Sequence, residues 1–368
     1  MQVVWNGFGR YGDSPRALYE ALVTRAPGVS HTWLARPGAE NGFPPGVRIA
    51  PLTGAGAVEV LEQADLVVSN DHLDVEWQKR PGATYLQTWH GTPLKRIHHD
   101  VLWAPPGRLD RLDRDVARWD VLLSPNAAST ERLRGAFAFA GPVHETGYPR
   151  NDLLTSGRAP AVRAALRERL GIADGTTAVL YAPTWRDDLV YSGAAPATAL
   201  TLDPASVAAR LGTDHVLLLR LHSMVLGALG AAATGPAVLD VSAHPDVAEL
   251  YLAADVLVTD YSSVMFDFAV TGKPIVLYVP DLDRYRDETR GFYFDLADQA
   301  PGPLVRDVDS LVAALLTEDV APDVVLRRKH FDDTFCHLED GRATERVLRL
   351  LPPTTDHRPN ANDPQEAS

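Results

Sequence analysis

Residues 255–274 read DVLVTDYSSVMFDFAVTGKP, and this stretch contains a complete strand-to-helix unit. An apolar run ends at a polar turn that contains Asp260, Ser262 and Ser263, and the amphipathic segment that follows stops at Gly272. A continuous apolar run is typical of a parallel strand that helices cover on both faces. Glycine is a typical helix stop. The stretch therefore predicts one β–α unit of a doubly wound α/β domain.

Similar apolar runs recur along the chain and alternate with segments of helical spacing. They are MQVVW, ADLVVS, TYLQTW, DVLLSP, AVLYAP, HVLLLRLH and PIVLYV. The alternation breaks near GYPRNDLLTSGRAP, which bears proline and glycine. We therefore predict two Rossmann-like domains, residues 1–148 and 149–350, that face each other across a cleft. Residues 351–368 are polar and rich in proline, which predicts a disordered tail.

Composition excludes several classes of protein. The 368 residues carry a formal net charge of −13, so a general attraction to nucleic acid is not expected. The single cysteine, Cys336, excludes a disulfide framework and a zinc-thiolate cluster, and a buried free thiol is its simplest interpretation. No signal peptide or membrane-spanning run is recognisable, which predicts a cytoplasmic protein. The basic patch at Lys95, Arg96, His98 and His99 leaves peripheral contact with the inner membrane face open.

A glycine-rich loop follows the first predicted strand. The sequence NGFGRYG places Gly7, Gly9 and Gly12 in a G-x-G-x-x-G pattern, which dinucleotide-binding folds use. The expected acidic residue at the second strand is missing, and Arg36 stands there instead. Arg36 could suit a 2′-phosphate, so an NADP-dependent oxidoreductase stays an alternative. In either case we expect Gly9 to line the cleft.

A second motif, TWHGTPLKRIHHD at residues 88–100, begins at the end of a predicted strand. A histidine at a strand end has the position and the near-neutral pKa of a general base, although His90 could equally be structural. Lys95 could position charged groups or could be an ordinary solvated lysine.

Two motifs of the second half supply cations. YAPTWRDD contains Arg186, whose guanidinium suits a phosphate but could also form a surface pair with aspartate. LLLRLHSM contains Arg220 and His222, which lie on the same face of a strand because side chains alternate with a period of two. A basic pair at a strand end suits a diphosphate, and it can also serve structure.

The turn at residues 259–263 is a candidate anion site. Thr259, Asp260, Ser262 and Ser263 stand between a strand and a predicted helix. Hydroxyl groups and unpaired backbone N–H groups at a helix start bind anions without any net positive charge. A plain serine N-cap would use the same atoms. The sequence therefore predicts a phosphate site here and keeps the cap as the alternative.

Taken together, these segments resemble the CDP-glycerol:poly(glycerophosphate) glycerophosphotransferase family of teichoic-acid and capsule synthesis. The matching pieces stand in the family's order, and they are TWHGTPLK, GYPRND, YAPTWRDD, LRLH, TDYSSVMFDF, GKP and DGRATERV. The resemblance implies a GT-B-type fold, with the CDP-alcohol on the second domain and the acceptor on the first. It also implies that an acceptor hydroxyl attacks the β-phosphorus and that CMP leaves.

The resemblance implies roles for individual residues. His90 would be the general base, and His222 would join it at the catalytic centre. The diphosphate would be held by Arg186, Arg220, Thr259, Asp260, Ser262 and Ser263. Gly9, Gly91, Thr92 and Lys95 would position the acceptor or its charged groups.

The partners that the resemblance implies are CDP-glycerol or another CDP-polyol and a lipid-linked or polymeric glycan acceptor. No tightly bound cofactor or metal is expected, although a Mg²⁺ ion held on the diphosphate would leave little trace in a sequence. The nearest alternative keeps the fold and uses a nucleotide-sugar donor. Another alternative is a catalytically silent binding module, which would bind CDP without releasing CMP.

Overall fold

The computed structural model describes residues 1–184, 201–221, 237–317 and 321–351. The predicted site residues Arg186 and His222 and the predicted tail from residue 352 onward lie outside these ranges.

The first domain is built on a seven-stranded sheet in which all neighbouring strands are parallel. The strand order is β3-β2-β1-β4-β5-β6-β7. The order reverses direction between β1 and β4, and such a switch point opens a crevice at the carboxyl ends of the strands. The strands are β1 Gln2–Asn6, β2 Ser30–Ala35, β3 Ile49–Pro51, β4 Leu66–Ser69, β5 Thr84–Gln87, β6 Val121–Ser124 and β7 Val143–Glu145.

The second domain repeats this plan with six parallel strands in the order β10-β9-β8-β11-β12-β13. Its switch point lies between β8 and β11. The strands are β8 Thr177–Tyr181, β9 His215–Leu219, β10 Val238–Asp240, β11 Val256–Thr259, β12 Ile275–Tyr278 and β13 Leu304–Val305.

Helices connect the strands. In the first domain they are Asp13–Arg25, Ala55–Gln63, Arg108–Val116 and Ala127–Ala136, with 3₁₀ turns at Glu40–Gly42 and His98–Asp100. After the 3₁₀ turn Pro149–Asn151 come Asp152–Thr155, Ala159–Arg169, Pro204–Leu211, Val247–Ala253, Val264–Ala269, Leu282–Arg284, Leu296–Gln299, Val308–Leu316, Pro322–Phe331 and Ala343–Leu348. Two π-helical turns occur at Tyr285–Thr289 and Asp332–Cys336. No helix of the described residues is long and apolar enough to cross a lipid bilayer.

Each sheet is buried on both faces, which explains why the strands are continuous apolar runs. In β1, Val3 and Trp5 pack in one cluster with Trp33, whereas Val4 packs in another cluster with Tyr85. Both clusters are almost fully buried. The predicted α/β class with two Rossmann-like domains is confirmed.

The last described helix returns to the first domain. Val347 is buried in the same cluster as Trp5, and Glu345 forms an ion pair with Arg25 of the first helix. The Arg346 Nε atom donates a hydrogen bond of 2.8 Å to the Thr146 carbonyl. The chain therefore crosses back to the first domain after completing the second sheet. The domain limits of 1–148 and 149–350 stay a prediction.

Candidate active site

The carboxyl ends of β1 and β4 hold the glycine loop, residues 7–12, in place. The Asn6 side chain accepts a hydrogen bond of 2.8 Å from the Gly9 backbone N–H. The Asn70 side chain, just after β4, accepts one of 2.9 Å from the Phe8 N–H. Two side-chain amides at the ends of neighbouring strands thus hold the backbone of this loop.

Arg36 completes the support of this loop. Its Nε atom donates a hydrogen bond of 2.8 Å to the Phe8 carbonyl. Gly9 has a φ of 66°, and a Cβ atom there would lie 2.9 Å from the backbone nitrogen of Arg36, so only glycine fits. Arg36 therefore serves the loop backbone, which removes the reason to assign it to a 2′-phosphate.

His90 follows β5 and lies against this loop. Its Nδ1 atom is 2.5 Å from the Asn70 carbonyl oxygen. A carbonyl can only accept, so Nδ1 carries the hydrogen and Nε2 carries the lone pair. The imidazole stacks on Trp89, with ring centroids 4.0 Å apart, and it lies 4.7 Å from the Phe8 ring. These contacts fix the ring in the tautomer that a general base requires.

Burial lowers the pKa of His90 below its ordinary value. The nearby carboxylates of Asp71 and Asp13 raise this pKa, whereas the Arg150 guanidinium lowers it, as burial does. A lowered pKa keeps the imidazole neutral at physiological pH, which is the form that accepts a proton.

Backbone strain collects around His90. Phe8, Asp13 and Trp89 have φ angles of 57°, 61° and 53°. Such conformations are unusual for non-glycine residues, and they persist where the surrounding structure holds them. The rings of Phe8 and Trp89 both contact His90, so the strained backbone positions the ring of the candidate base.

Ser263 of the second domain lies against Gly91 of the first. A Cβ atom on Gly91 would lie 2.7 Å from the Ser263 Oγ atom, so the two segments approach as closely as a glycine allows. The Ser263 side chain makes no capping hydrogen bond. The Ser262 Oγ atom is a weak acceptor for the Val264 N–H at 3.4 Å. The plain N-cap interpretation of this turn is therefore poorly supported, and both hydroxyls are half-buried at the junction of the domains.

Thr259 and Asp260 lie beneath that turn and are buried. The Thr259 hydroxyl donates to the Ala182 carbonyl at 2.7 Å. One Asp260 carboxylate oxygen accepts from the Thr184 N–H at 2.7 Å and from the Tyr261 N–H at 2.6 Å. These bonds join the ends of β8 and β11, so both residues support the serine turn, and direct contact with a donor stays a prediction.

Arg220 of the second domain feels the charge of Arg10 in the glycine loop of the first. Arg220 follows β9, and its Nη1 atom donates to the carbonyls of Val241, Ser242 and His244, at 3.1 and 3.0 Å for the first two. Burial lowers the pKa of Arg220, and the positive charge of Arg10 in the glycine loop lowers it further. Two cations whose fields overlap in this way favour an anion nearby. Sequence reasoning missed Arg10, whose only signal was its place inside the glycine motif.

Thr92 and Lys95 belong to a segment of the first domain that contacts the second domain. Thr92 is buried, with 4% of its surface exposed. Lys95 forms an antiparallel bridge with Phe292, and the Arg96 N–H donates to the Gly291 carbonyl at 3.1 Å. The chain after His90 therefore runs along the second domain. Gly91 and Thr92, which directly follow His90 in sequence, lie at the junction of the two domains.

Arg150 links the two domains and was not assigned a role from sequence. Its guanidinium lies 3.1 Å from the Asp13 carboxylate and 2.9 Å from the Asp267 carboxylate. It also stacks over the Tyr148 ring, 4.4 Å from the centroid. The side chains of Arg150 and Asp267 are each 7% exposed. Asp267 is thus buried in an ion network. The only sequence signal for Arg150 was its place in the GYPRND segment at the predicted domain boundary.

Comparison with known proteins places this geometry in a family. A family model described as CDP-glycerol:poly(glycerophosphate) glycerophosphotransferase matches residues 2–352. The teichoic acid poly(glycerol phosphate) polymerase of Bacillus subtilis (strain 168) is 36% identical over 364 residues, which cover 95% of this chain and 48% of that protein. The teichoic acid glycerol-phosphate transferase of Staphylococcus aureus (strain NCTC 8325 / PS 47) is 36% identical over 354 residues, which cover 93% and 90%.

Solved structures agree. The wall teichoic acid polymerase TagF superimposes with a TM-score of 0.83 at 33% identity, covering 95% of this chain and 87% of that one. A histidine variant of TagF soaked with CDPG gives a TM-score of 0.84, again at 33% identity, with 95% and 88% covered. The match confirms the predicted GT-B-type arrangement. This chain spans about half the length of the Bacillus subtilis polymerase. Since the family model covers nearly the whole chain, the chain belongs to the CDP-glycerol:poly(glycerophosphate) glycerophosphotransferase family.

Proposed function

We propose that this chain transfers a glycerol-phosphate group from CDP-glycerol to an acceptor hydroxyl and releases CMP, in the synthesis of a teichoic-acid-like or capsular polymer. The observation that carries the proposal is His90, whose Nδ1 atom is fixed on the Asn70 carbonyl so that Nε2 keeps its lone pair. Membership of the family supports the choice of donor.

In the proposed reaction the acceptor oxygen attacks the β-phosphorus of CDP-glycerol. His90 Nε2 takes the hydroxyl proton, a new P–O bond forms, and the bond from the β-phosphorus to the bridging oxygen breaks. CMP leaves with the electrons of that bond. Such a transfer depends on positioning and on charge stabilisation and needs no covalent enzyme intermediate.

The diphosphate of the donor would lie between the domains. Ser262 and Ser263 offer hydroxyl groups from the second domain, and Arg220 and Arg10 offer positive charge from the second and the first domain. These local groups explain how a chain with a net charge of −13 could hold an anionic donor. His222 and Arg186 remain proposed members of this site on the family resemblance.

We also propose that the acceptor is a lipid-linked or polymeric glycan and that the chain works at the inner membrane face. Arg96 is exposed, and two exposed apolar side chains, Leu102 and Trp103, follow in the same segment. Cations beside exposed aromatic and aliphatic groups suit an anionic lipid surface. Sedimentation with anionic vesicles tests this part, and a Trp103→Ala variant should pellet less than the unmodified chain.

The proposed reaction includes no resident cofactor. A Mg²⁺ ion carried on the diphosphate is compatible with it, and CMP release with and without a chelator would test that point.

The decisive experiment measures nucleotide release in the presence of crude membrane acceptor. CDP-glycerol and CDP-ribitol are compared side by side with UDP- and GDP-sugars. The proposal predicts CMP release from CDP-glycerol. Release from CDP-ribitol alone would change the alcohol, and release of UDP or GDP from a sugar donor, with both CDP-alcohols silent, would replace the proposal with a glycosyltransferase.

A further inference from the structure

A row of rings runs from the proposed base into the first domain. Trp89, which stacks on His90, also meets the His72 ring edge-on at 5.7 Å. His72 in turn stacks on His98, with centroids 5.3 Å apart. The far end of this row carries a cluster of imidazole and carboxylate groups that the proposed reaction does not use.

The cluster joins two elements of the first domain. His98 and His99 belong to the 3₁₀ turn His98–Asp100, and Asp113 belongs to the helix Arg108–Val116. One Asp113 oxygen lies 2.8 Å from His99 Nε2 and 3.7 Å from His98 Nε2. One ligand atom from each of the three residues can be chosen so that all lie within 4.8 Å of one another.

His98 makes this cluster more than a surface ion pair. The residue is 7% exposed, and its Nε2 atom has no hydrogen-bond partner among the described residues. Buried polar atoms are normally satisfied, so a buried nitrogen close to a carboxylate and to a second imidazole calls for an explanation. The φ angle of His98 is 49°, an uncommon conformation for histidine.

We propose that His98, His99 and Asp113 bind one divalent first-row transition metal ion such as Zn²⁺. Two imidazole nitrogens and one carboxylate oxygen form a ligand set that suits Zn²⁺ and its neighbours and does not suit Mg²⁺ or Ca²⁺, which prefer oxygen. At bond lengths of about 2.0–2.1 Å, tetrahedral ligand atoms lie roughly 3.3 Å apart, so small side-chain movements would close the site. Water would fill the remaining coordination positions of the ion, because the side chains of His99 and Asp113 are partly exposed.

A metal here would tie together the two ends of residues 101–107. That segment carries the exposed Leu102 and Trp103, and its first end is already linked to the second domain, because the Tyr293 hydroxyl donates to Asp100 at 2.6 Å. The ion would therefore order a segment at the domain junction. This inference does not depend on the proposed transferase reaction.

The test uses the full chain without an affinity tag, freed of metal by a chelator that is then removed. Titration with Co²⁺, followed by its visible absorption, and titration with Zn²⁺, followed by calorimetry, should each give one equivalent bound. Asp113→Asn and His99→Ala should each weaken binding by at least about tenfold, since each removes or weakens a ligand. Both positions are partly exposed, so the fold should survive.

Two matched controls complete the experiment. Asp110→Asn makes the same change one turn earlier on the same helix, and His330→Ala removes an exposed histidine of the second domain. Both should bind as the unmodified chain does. Absence of stoichiometric Co²⁺ and Zn²⁺ binding would overturn the proposal, and so would equal affinity of the Asp113→Asn and Asp110→Asn variants.

Discussion

His90 combines an oriented tautomer with a lowered pKa, and both properties arise from its immediate neighbours. We expect His90→Asn to reduce turnover by about 10²- to 10⁴-fold, the usual contribution of general-base catalysis, while CDP-glycerol affinity is kept. Rates of CMP release and calorimetric binding measure the two quantities separately. His144→Asn on β7 is the control. Normal turnover of the His90 variant would show that another group is the base.

The pH dependence of the reaction follows from the same side chain. Because burial lowers the pKa of His90, the acid limb of kcat/KM should lie below the ordinary imidazole value of about 6.5. The Asp71 carboxylate raises that pKa, so Asp71→Asn should move the acid limb to still lower pH. The pH profiles of kcat/KM for the unmodified chain and for Asp71→Asn check the direction of this shift. A limb that moved upward in the variant would contradict this electrostatic coupling.

At the scale of elements, the loop after β5 and the serine turn after β11 meet without room for a side chain. In Gly91→Ala the new Cβ atom would lie 2.7 Å from Ser263 Oγ, so the two segments must separate. We expect weaker CDP-glycerol binding, lower kcat/KM and a loss of stability of about 1–3 kcal/mol. Calorimetry, kinetics and urea unfolding measure these effects.

Gly135→Ala is the matched control for that variant. Gly135 lies inside the helix Ala127–Ala136, and a Cβ atom there meets nothing within 4 Å. Alanine should stabilise the helix by up to about 1 kcal/mol and leave kinetics unchanged. If both alanine variants behaved alike, the contact between Gly91 and Ser263 would have no functional weight.

Local features of these elements were predictable from sequence, and contacts between distant elements were not. The strand and turn at residues 255–263 were read correctly because apolar runs and turn residues act on their neighbours. Nothing in the sequence indicates that the charge of Arg10 acts on Arg220, because folding alone brings together residues so far apart in the chain. Asp260 shows the other limit, since a carboxylate at a strand end can face a ligand or bind backbone N–H groups, and here it binds the backbone.

At the scale of the whole molecule, Arg150 joins the domains through two carboxylates. Arg150→Met would leave the buried Asp267 carboxylate without its cation, and breaking a buried pair in this way costs about 3–5 kcal/mol. Urea unfolding measures the loss. Arg111→Met is the control, because its pair with Asp74 spans 3.8 Å and both side chains are more than half exposed, so less than about 1 kcal/mol is expected. Equal losses would show that Arg150 does not hold the domains together.

Glu339 gives the molecule a second, pH-dependent link between distant parts of the chain. Its carboxyl accepts a hydrogen bond of 3.1 Å from the Tyr148 N–H, and burial raises its pKa to about 8. Between pH 4.5, the ordinary pKa of a glutamate, and pH 8, the folded chain therefore keeps a proton on Glu339 that the unfolded chain releases. Stability from this group is full below pH 4.5 and is lost as the pH rises toward 8, by up to about 1.4 kcal/mol per unit.

Glu339→Gln removes the titrating proton and keeps an oxygen for the Tyr148 N–H. We expect the free energy of unfolding, measured in urea between pH 5 and pH 8, to fall less steeply with pH in this variant than in the unmodified chain. Glu168→Gln, at an exposed position, should leave the slope unchanged. If the Glu339 variant kept the original slope, the carboxyl would already be ionised in the folded protein, and the loss of stability with rising pH would belong to another buried group.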